Sequence, residues 1–274
     1  MNSSPPSSPP LRFTKHHGAG NDFLVLVDEG NTSPLDAAVV RALCDRRFGV
    51  GADGVIRIID GAGRADLAMD LHNADGSPAE MSGNGIRCLA QALWDAGLSR
   101  SADELVVATD VGVRKVRLMD ANRPGYLRAS VDMGPVKVMH DAPQYTNGSV
   151  QAAVFVDAGN PHLVLLDSEV QDVDVVARGA EIEAAFDGGI NVEWVWPGPG
   201  PAELTMRVWE RGVGETEACG TGSCAAAAAA LYWARGGART VVHNPGGDVT
   251  VELGPTAVLT GPAARIASVE MPWP

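Results

Sequence analysis

The chain has 274 residues and a formal net charge of −13 at neutral pH. This acidic balance, without a local lysine or arginine cluster, argues against a nucleic-acid-binding surface. No run of about 18 apolar residues occurs, so no membrane span is predicted. The opening segment, MNSSPPSSPP, lacks the basic and apolar regions of a signal peptide. We therefore interpret residues 1–10 as a disordered Ser/Pro tail and predict a cytoplasmic protein.

Short β-branched segments bounded by Gly, Asp, Asn or Pro predict strands along the whole chain. In chain order they are 23–27, 55–59, 105–108, 113–118, 154–156, 163–166, 190–195, 206–209 and 249–253. Helices are predicted at 34–45, 85–96, 175–186 and 222–235, and glycines follow the second and the fourth of them. Many strands with few helices predict an α+β fold.

Two glycine-rich loops resemble each other across the chain. The first reads SGNGIRC over residues 82–88, and the second reads CGTGSC over residues 219–224. Each leads into a predicted helix rich in alanine and leucine, and about half a chain separates them. This repetition predicts two similar domains, each of which presents one loop and the start of one helix to a shared cleft.

These loops have the features of an anion-binding site at which a proton could be transferred. The first N–H groups of a helix have no partner within the helix, and glycines let the backbone approach a ligand closely. For an amino acid the anion is the α-carboxylate, and its predicted donors are Gly83, Asn84, Gly220 and Thr221.

Cys219 and Ser82 occupy equivalent positions before the two pairs of glycines. A helix N-terminus favours thiolate, so we expect a lowered pKa for Cys219, which suits a general acid or base. Two such residues on opposite faces of one carbon could invert it, while the N–H groups hold the developing enolate.

Simpler interpretations stay open. Cys219 could be a buried packing residue, and Ser82 could be an N-cap and nothing more. We interpret Cys44, Cys88 and Cys224 as packing residues. Neither loop has the lysine of a P-loop or the third glycine of a dinucleotide-binding loop. No Schiff-base lysine or zinc-type Cys/His spacing is evident, so we expect no cofactor and no metal.

An ordered series of segments resembles the diaminopimelate epimerase family from residue 11 to the C-terminus. The segments are HGAGNDF (17–23), RFGVGADG (47–54), HNADGS (72–77) with MSGNGIR (81–87), AGNPH (158–162), GIN (189–191), VWERGVGET (208–216) and ACGTGSCA (218–225). The resemblance implies two pseudo-symmetric domains, each a β-sheet wrapped around a central helix, with the active site in the cleft between them. We expect an N-terminal domain of residues 11–128 plus 264–274 and a C-terminal domain of residues 129–263.

The resemblance further implies an isomerase that interconverts LL- and meso-diaminopimelate by two-base proton transfer, without metal or pyridoxal phosphate. Such a homodimer, acting on a small amino diacid, would serve lysine and peptidoglycan synthesis.

The resemblance assigns functional roles of the family to individual residues of this chain. Cys219 matches the second catalytic cysteine, Glu210 lies beside the reacting centre, and His162 lies near the site. Gly83, Asn84, Gly220 and Thr221 match the backbone donors to the α-carboxylate, and the substrate-binding side chains match Asn21, Asn73, Asn160, Asn191 and Arg211. A guanidinium suits the distal carboxylate, and amides suit an ammonium beside a carboxylate. Asparagines next to Gly or Pro can also simply mark turns.

One departure from the family pattern concerns its first catalytic cysteine, because the loop reads Ser82-Gly-Asn-Gly here. Cys88 lies inside the predicted helix and does not replace the thiol. Ser82 is either an engineered change that weakens turnover, a natural variant that works as a slower or one-sided partner, or the sign of a paralogue. No disulfide can link positions 82 and 219.

Two other functions therefore stand beside the epimerase. One is a non-catalytic amino-acid-binding protein that keeps the ligand contacts and has lost one base. The other is a related isomerase, such as the proline racemase and phenazine-isomerase relatives. Arg211 and the asparagines favour a substrate with a second polar end, which a proline-like substrate lacks.

Overall fold

The computed structural model describes residues 10–63, 65–98, 104–168 and 173–271, and of residues 120–122 the backbone alone. Residues 1–9 of the predicted tail lie outside these ranges. The strands within them are β1 (Leu11–Gly18), β2 (Asn21–Val27), β3 (Gly54–Asp60), β4 (Leu67–Asn73), β5 (Glu104–Thr109), β6 (Gly112–Arg123), β7 (Tyr126–Gly134), β8 (Lys137–Asp141), β9 (Val150–Asp157), β10 (Pro161–Asp167), β11 (Asn191–Pro197), β12 (Glu203–Glu210), β13 (Gly214–Thr216), β14 (Arg239–Asn244), β15 (Gly247–Leu253) and β16 (Ala257–Met271). The α-helices are α1 (Ala37–Cys44), α2 (Gly83–Asp95), α3 (Val175–Ala184) and α4 (Gly220–Tyr232).

The two halves of the chain repeat one pattern of strand pairing. In the first half β2 pairs parallel to β3, β3 antiparallel to β4, and β4 parallel to β5. In the second half β10, β11, β12 and β14 repeat these three relationships in the same order. Helices α1 and α3 occupy equivalent connections in the two halves, and so do α2 and α4. This repetition confirms the predicted pseudo-symmetric α+β fold.

Each half wraps a sheet around one central helix. Strands β1 to β7 and β16 form a closed ring, because β16 pairs with both β7 and β1, and α2 lies inside it. The sheet continues from β16 through β15, β14, β12, β11, β10, β9 and β8, which surround α4. The alanines at 225–230 of α4 are buried on every side, and their small side chains let the sheet approach closely.

Strand β16 joins the two halves. It begins between β15 and β7, and its final segment pairs with β1, with Met271 opposite Leu11. The boundaries of the two domains stay predictions. Among the described helices, none combines the length and apolar character that crossing a lipid bilayer demands.

Candidate active site

Helices α2 and α4 begin with the same local structure. Ser82 caps α2 from an extended backbone (φ −134°, ψ 122°), and its Oγ accepts a hydrogen bond from the Gly85 N–H at 3.0 Å. Cys219 caps α4 from a nearly identical backbone (φ −121°, ψ 125°), and its Sγ accepts from the Gly222 N–H at 3.3 Å. The thiol thus fills the role that serine commonly has at an N-cap. The two helices begin at Gly83 and Gly220 rather than at 85 and 222.

The caps leave two N–H groups without an acceptor in each first turn. Gly85 and Gly222 donate to the cap side chains, and the residues after them donate to the cap carbonyls. In the described part of the chain, no protein acceptor receives the N–H groups of Gly83, Asn84, Gly220 and Thr221. These are the four predicted carboxylate donors. Their positions make an anion site physically reasonable.

Ser82 and Cys219 line one cavity of about 110 Å³, into which the two helix N-termini open. The other predicted residues that line it are Asn21, Asn73, Gly83, Asn84, Asn160, Glu210, Gly220 and Thr221. A second cavity shares several of these residues, among them Asn73, Asn160 and Glu210, and adds Asn191, Arg211 and Arg114. The structure therefore brings the predicted residues around two adjoining spaces, with both proton-handling candidates in the first.

Several of the asparagines already bond to the protein. The Asn21 amide donates to Asp53 at 2.8 Å, and the Asn84 amide donates to the Ala218 carbonyl at 2.9 Å. Asn191 donates to the Pro161 carbonyl and accepts from the Arg211 N–H, each at 3.0 Å. These side chains shape the walls and join the loops, so the interpretation as turn and loop residues coexists with a role in binding.

His162 lies one layer behind the first cavity. It is fully buried, with Nδ1 2.6 Å from a Glu193 carboxylate oxygen and Nε2 2.8 Å from the Asn160 Oδ1. Glu193 is also fully buried, and within the described residues its other carboxylate oxygen has no hydrogen-bond partner. His162 is therefore placed to orient Asn160, which itself lines the cavity.

The expected low pKa of Cys219 is wrong for this form of the site. Burial raises the pKa of the Cys219 thiol well above its ordinary value, and the nearby carboxylates of Glu210 and Glu193 raise it further. The hydrogen bonds from Thr221 and the Gly222 N–H act in the opposite direction and do not compensate. The favourable field of a helix N-terminus is thus outweighed, and Cys219 is a thiol at neutral pH.

Burial also raises the pKa of the Glu210 carboxyl. Hydrogen bonds from the Thr216 hydroxyl and the Cys219 thiol oppose this rise, while the neighbouring Glu193 adds to it. Glu210 and Cys219 therefore affect each other's proton affinity in one cavity. Such coupling is common among groups that exchange protons with a substrate.

The sequence interpretation missed Asp53 and Glu193. Asp53 lines the first cavity, accepts from Asn21, and is bound at 2.7 Å by Arg46, which also binds Asp22. The order GADG at 51–54 was the available signal for Asp53, since a carboxylate follows a tight turn there. Glu193 gave no such signal, because it lies within an apolar strand.

Among the described residues, no group of three or more His, Cys, Asp or Glu side chains is arranged to hold a metal ion. The remaining cysteines, Cys44, Cys88 and Cys224, are buried away from the cavity, as predicted for packing residues. Burial raises the pKa of each of these thiols to about 12.

Comparison with solved structures relates the fold to that of an epimerase and of a phenazine biosynthesis protein. A hydroxyproline epimerase from Agrobacterium vitis superposes with a TM-score of 0.70 at 15% identity, over 96% of this chain and 93% of its own. A phenazine biosynthesis protein of the PhzF family from Bacillus anthracis gives 0.70 at 14% identity, over 96% and 99%. At these identities the likeness concerns the fold alone.

Sequence relatives are much closer. A diaminopimelate epimerase of Mycobacteroides abscessus is 42% identical over 95% of this chain and 96% of its own length. One of Pelotomaculum thermopropionicum is 40% identical over 96% and 99%. The family model described as diaminopimelate epimerase matches residues 13–139 and 154–266. Taken with the paired helix N-termini at one cavity, these matches show that the chain belongs to the diaminopimelate epimerase family of isomerases.

Proposed function

We propose that this chain interconverts LL- and meso-diaminopimelate by moving a proton at one α-carbon, with Cys219 and Ser82 as the two proton-handling residues. The observation that carries the proposal is that both side chains cap helices that open into one cavity. Inversion needs one group on each face of the carbon, and the opening of two helix N-termini from pseudo-symmetric halves into one cavity supports this assignment.

The α-carboxylate would lie against the N–H groups of Gly83, Asn84, Gly220 and Thr221. Removal of the α-proton places negative charge on this carboxylate, so donors already oriented there stabilise the transition state more than the substrate. The second cavity would hold the distal amino and carboxylate groups. Asn73 and Asn160 line both cavities, and Arg211 lines the second.

In one direction Cys219, once solvent has removed its thiol proton, accepts the α-proton and becomes a thiol again, and the Ser82 hydroxyl gives a proton to the opposite face and becomes an alkoxide. Solvent then returns a proton to Ser82 and removes one from Cys219. The reverse direction starts from the Ser82 alkoxide, which is scarce because a hydroxyl is a much weaker acid than a thiol. We therefore propose that Ser82 slows inversion and makes the two faces unequal.

The decisive experiment compares the chain with its Ser82→Cys variant in deuterated water. Inversion of each isomer is followed by chiral separation, and deuterium at the α-carbon by mass spectrometry. We expect one isomer to take up deuterium faster than it inverts in the chain as it stands, since Cys219 can return a deuteron to the face it deprotonated. Ser82→Cys should raise the inversion rate toward the exchange rate.

The matched control is Cys219→Ser, which leaves hydroxyls at both positions and should abolish exchange as well as inversion. Inversion by the present chain that does not change in Ser82→Cys would contradict the role of position 82. Exchange that persists in Cys219→Ser would contradict the role of position 219.

The engagement of Ser82 as an N-cap also fits a protein that binds the amino diacid without turnover. Calorimetry with meso-diaminopimelate beside the turnover assay separates these functions. Binding without turnover, unchanged in Ser82→Cys, would favour the binding protein.

The proposal also covers the pathway, the cellular compartment and the oligomeric state of the protein. The family supports a place in lysine and peptidoglycan synthesis, and we further propose a cytoplasmic homodimer that works without nucleic acid or membrane partners. Sedimentation of the purified chain tests the homodimer.

A further inference from the structure

The side chain of Arg87 is completely buried in the first turns of α2. In the described part of the chain no carboxylate lies within ion-pair distance of its guanidinium. Burial lowers the pKa of Arg87 to about 10, so the group still carries its charge at neutral pH. The fold therefore keeps an unneutralised positive charge directly behind one of the two helix N-termini.

The guanidinium donates two of its three hydrogen bonds to the loop that carries Ser82. Nη1 donates to the Gly83 carbonyl at 2.7 Å, and Nη2 donates to the Asn84 Oδ1 at 2.8 Å. Nε donates to the Pro262 carbonyl in β16 at 3.1 Å. The first bond is notable because the Gly83 carbonyl and the Asn84 N–H belong to one peptide group. A cation on the carbonyl polarises that peptide and makes its N–H a stronger donor.

The second bond extends across the cleft. With its Oδ1 held by Arg87, Asn84 turns its Nδ2 to the Ala218 carbonyl at 2.9 Å. That carbonyl belongs to the peptide group that precedes Cys219. Arg87 thus fixes the loop that carries Ser82 and, through one amide, the loop that carries Cys219.

Two glycines leave the space that the guanidinium occupies. A Cβ at Gly261 would lie 3.1 Å from the Arg87 Cζ and Nε, and a Cβ at Gly18 would lie 3.2 Å from its Nη2. Burying an unpaired ion is unfavourable even after the protein relaxes. Features that carry such a cost tend to lie at functional sites, where the same local environment serves chemistry.

We propose that Arg87 is a positioning residue for the reaction, which orients Asn84 across the cleft and adds positive charge behind the α-carboxylate donors. The inference builds on the proposed function. The carboxylate gains negative charge in the transition state, so the effect of Arg87 is larger there than on the bound substrate. Loss of Arg87 should therefore lower kcat more than it raises KM.

The experiment compares Arg87→Met, which removes the charge and the hydrogen bonds, with Arg87→Lys, which keeps the charge and loses the forked donor. We expect Arg87→Met to lower kcat by about 10- to 100-fold, as for supporting residues that orient a site. Arg87→Lys should recover part of this loss. Exchange of the α-proton should fall in parallel, because it needs the same carboxylate donors.

Arg57→Met is the matched control. Arg57 is also buried, but it pairs with Asp28 and Asp70, and none of these three residues lines the two cavities. It should lower the melting temperature and leave kcat of the folded protein unchanged. If Arg87 were structural alone, its folded variants would behave like this control, and the proposal would be wrong.

Gly261→Ala tests the same role of Arg87 if Arg87→Met does not fold. The added methyl group displaces the guanidinium and one neighbour, a Val249 methyl group 3.0 Å away. It should lower kcat to a similar extent as Arg87→Lys. Unchanged kcat in that variant overturns the inference. If the unaltered chain shows neither exchange nor inversion, both the proposed function and this inference are overturned. If the unaltered chain turns over and Arg87→Met has the same kcat, the inference alone is overturned.

Discussion

Gly83 and Gly220 meet backbone to backbone where helices α2 and α4 begin. A Cβ built on Gly220 would lie 3.0 Å from the Gly83 Cα, a separation tighter than nine in ten real Cβ contacts. Gly220 is therefore required by this approach and not by a left-handed backbone. The contact between the two glycines sets how closely the Ser82 and Cys219 caps can face one substrate carbon.

Gly220→Ala should separate the two helix N-termini. The new methyl group meets backbone atoms of Gly83, which cannot move aside as a flexible side chain can. A misplacement of about 1 Å at reacting groups can reduce the rate by about 100-fold. We expect a loss of this size in kcat, measured as inversion of either isomer, with a folded circular dichroism spectrum.

Gly237→Ala is the control for this change. Gly237 follows α4, and its nearest neighbours to an added Cβ lie 3.7 and 3.9 Å away. It should leave kcat unchanged. Equal activity of the two alanine variants would show that the approach of the helices does not set the rate.

Ser82→Ala should separate the capping role of Ser82 from its chemical role. The lost cap costs about 1 kcal/mol in the free energy of unfolding, measured by urea titration. Inversion should fall by at least about 100-fold, as for loss of a general acid or base. Deuterium exchange of the isomer whose α-hydrogen faces Cys219 should continue.

Asp174→Ala removes the cap of α3, where the carboxylate accepts from the Ala177 N–H. It should lower the free energy of unfolding by a similar amount and leave the inversion rate unchanged. If Ser82→Ala behaved in the same way, Ser82 would be a cap alone.

The amino-acid pattern predicted much of this architecture because local signals agreed with the fold. The repeated loops before two alanine-rich helices indicated the pseudo-symmetry, and the cores of many strands were predicted. The strands that were not predicted are β1, β4, β7, β8, β13, β14 and most of β16. In β1, KHH interrupts the apolar alternation, and the residues of β8 are mostly exposed. Periodicity detects strands only where one face is consistently buried.

The composition of the site was predicted better than its electrostatics. Spacing identified the four N–H donors, since a cap residue determines which amides stay without an acceptor. It could not place Glu193 and Glu210 beside Cys219, because they come from β11 and β12 and meet α4 only in the folded chain. The proton affinity of the thiol depends on those distant carboxylates and on burial.

Acid should destabilise the protein through His16, which is fully buried and whose ring nitrogens have no hydrogen-bond partner within the described residues. Burial, with Arg265 and His17 nearby, lowers the pKa of His16 from 6.5 to about 4. The unfolded chain therefore binds a proton below pH 6.5 that the folded chain resists until about pH 4. Stability should fall across this window, by about 3 kcal/mol at most.

The measurement is urea unfolding at a series of pH values from 7 to 4, beside His16→Leu. Leucine fills a similar volume and removes the titrating group, so the fall between pH 6.5 and 4 should become shallower. His243, whose pKa is raised by Asp248 and Glu203 despite partial burial, stabilises the fold below 6.5 and acts in the opposite sense. Parallel curves for the two proteins would exclude His16 as the cause.

Glu210→Gln should make Cys219 easier to ionise. Burial is the largest cause of the raised thiol pKa, and the Glu210 carboxylate is the next. Replacing the carboxylate with an amide keeps the shape and removes its charge. The apparent pKa for alkylation of Cys219 by iodoacetamide, located by peptide mass spectrometry, should fall in the variant.

The substitution of a nearby carboxylate outside the cavity provides the comparison. Glu217 lies next to Ala218 but is not among the groups that raise the pKa of Cys219. Glu217→Gln removes the same charge and should leave the alkylation profile unchanged. An equal shift in both variants would mean that net charge, and not the contact in the cavity, controls the thiol.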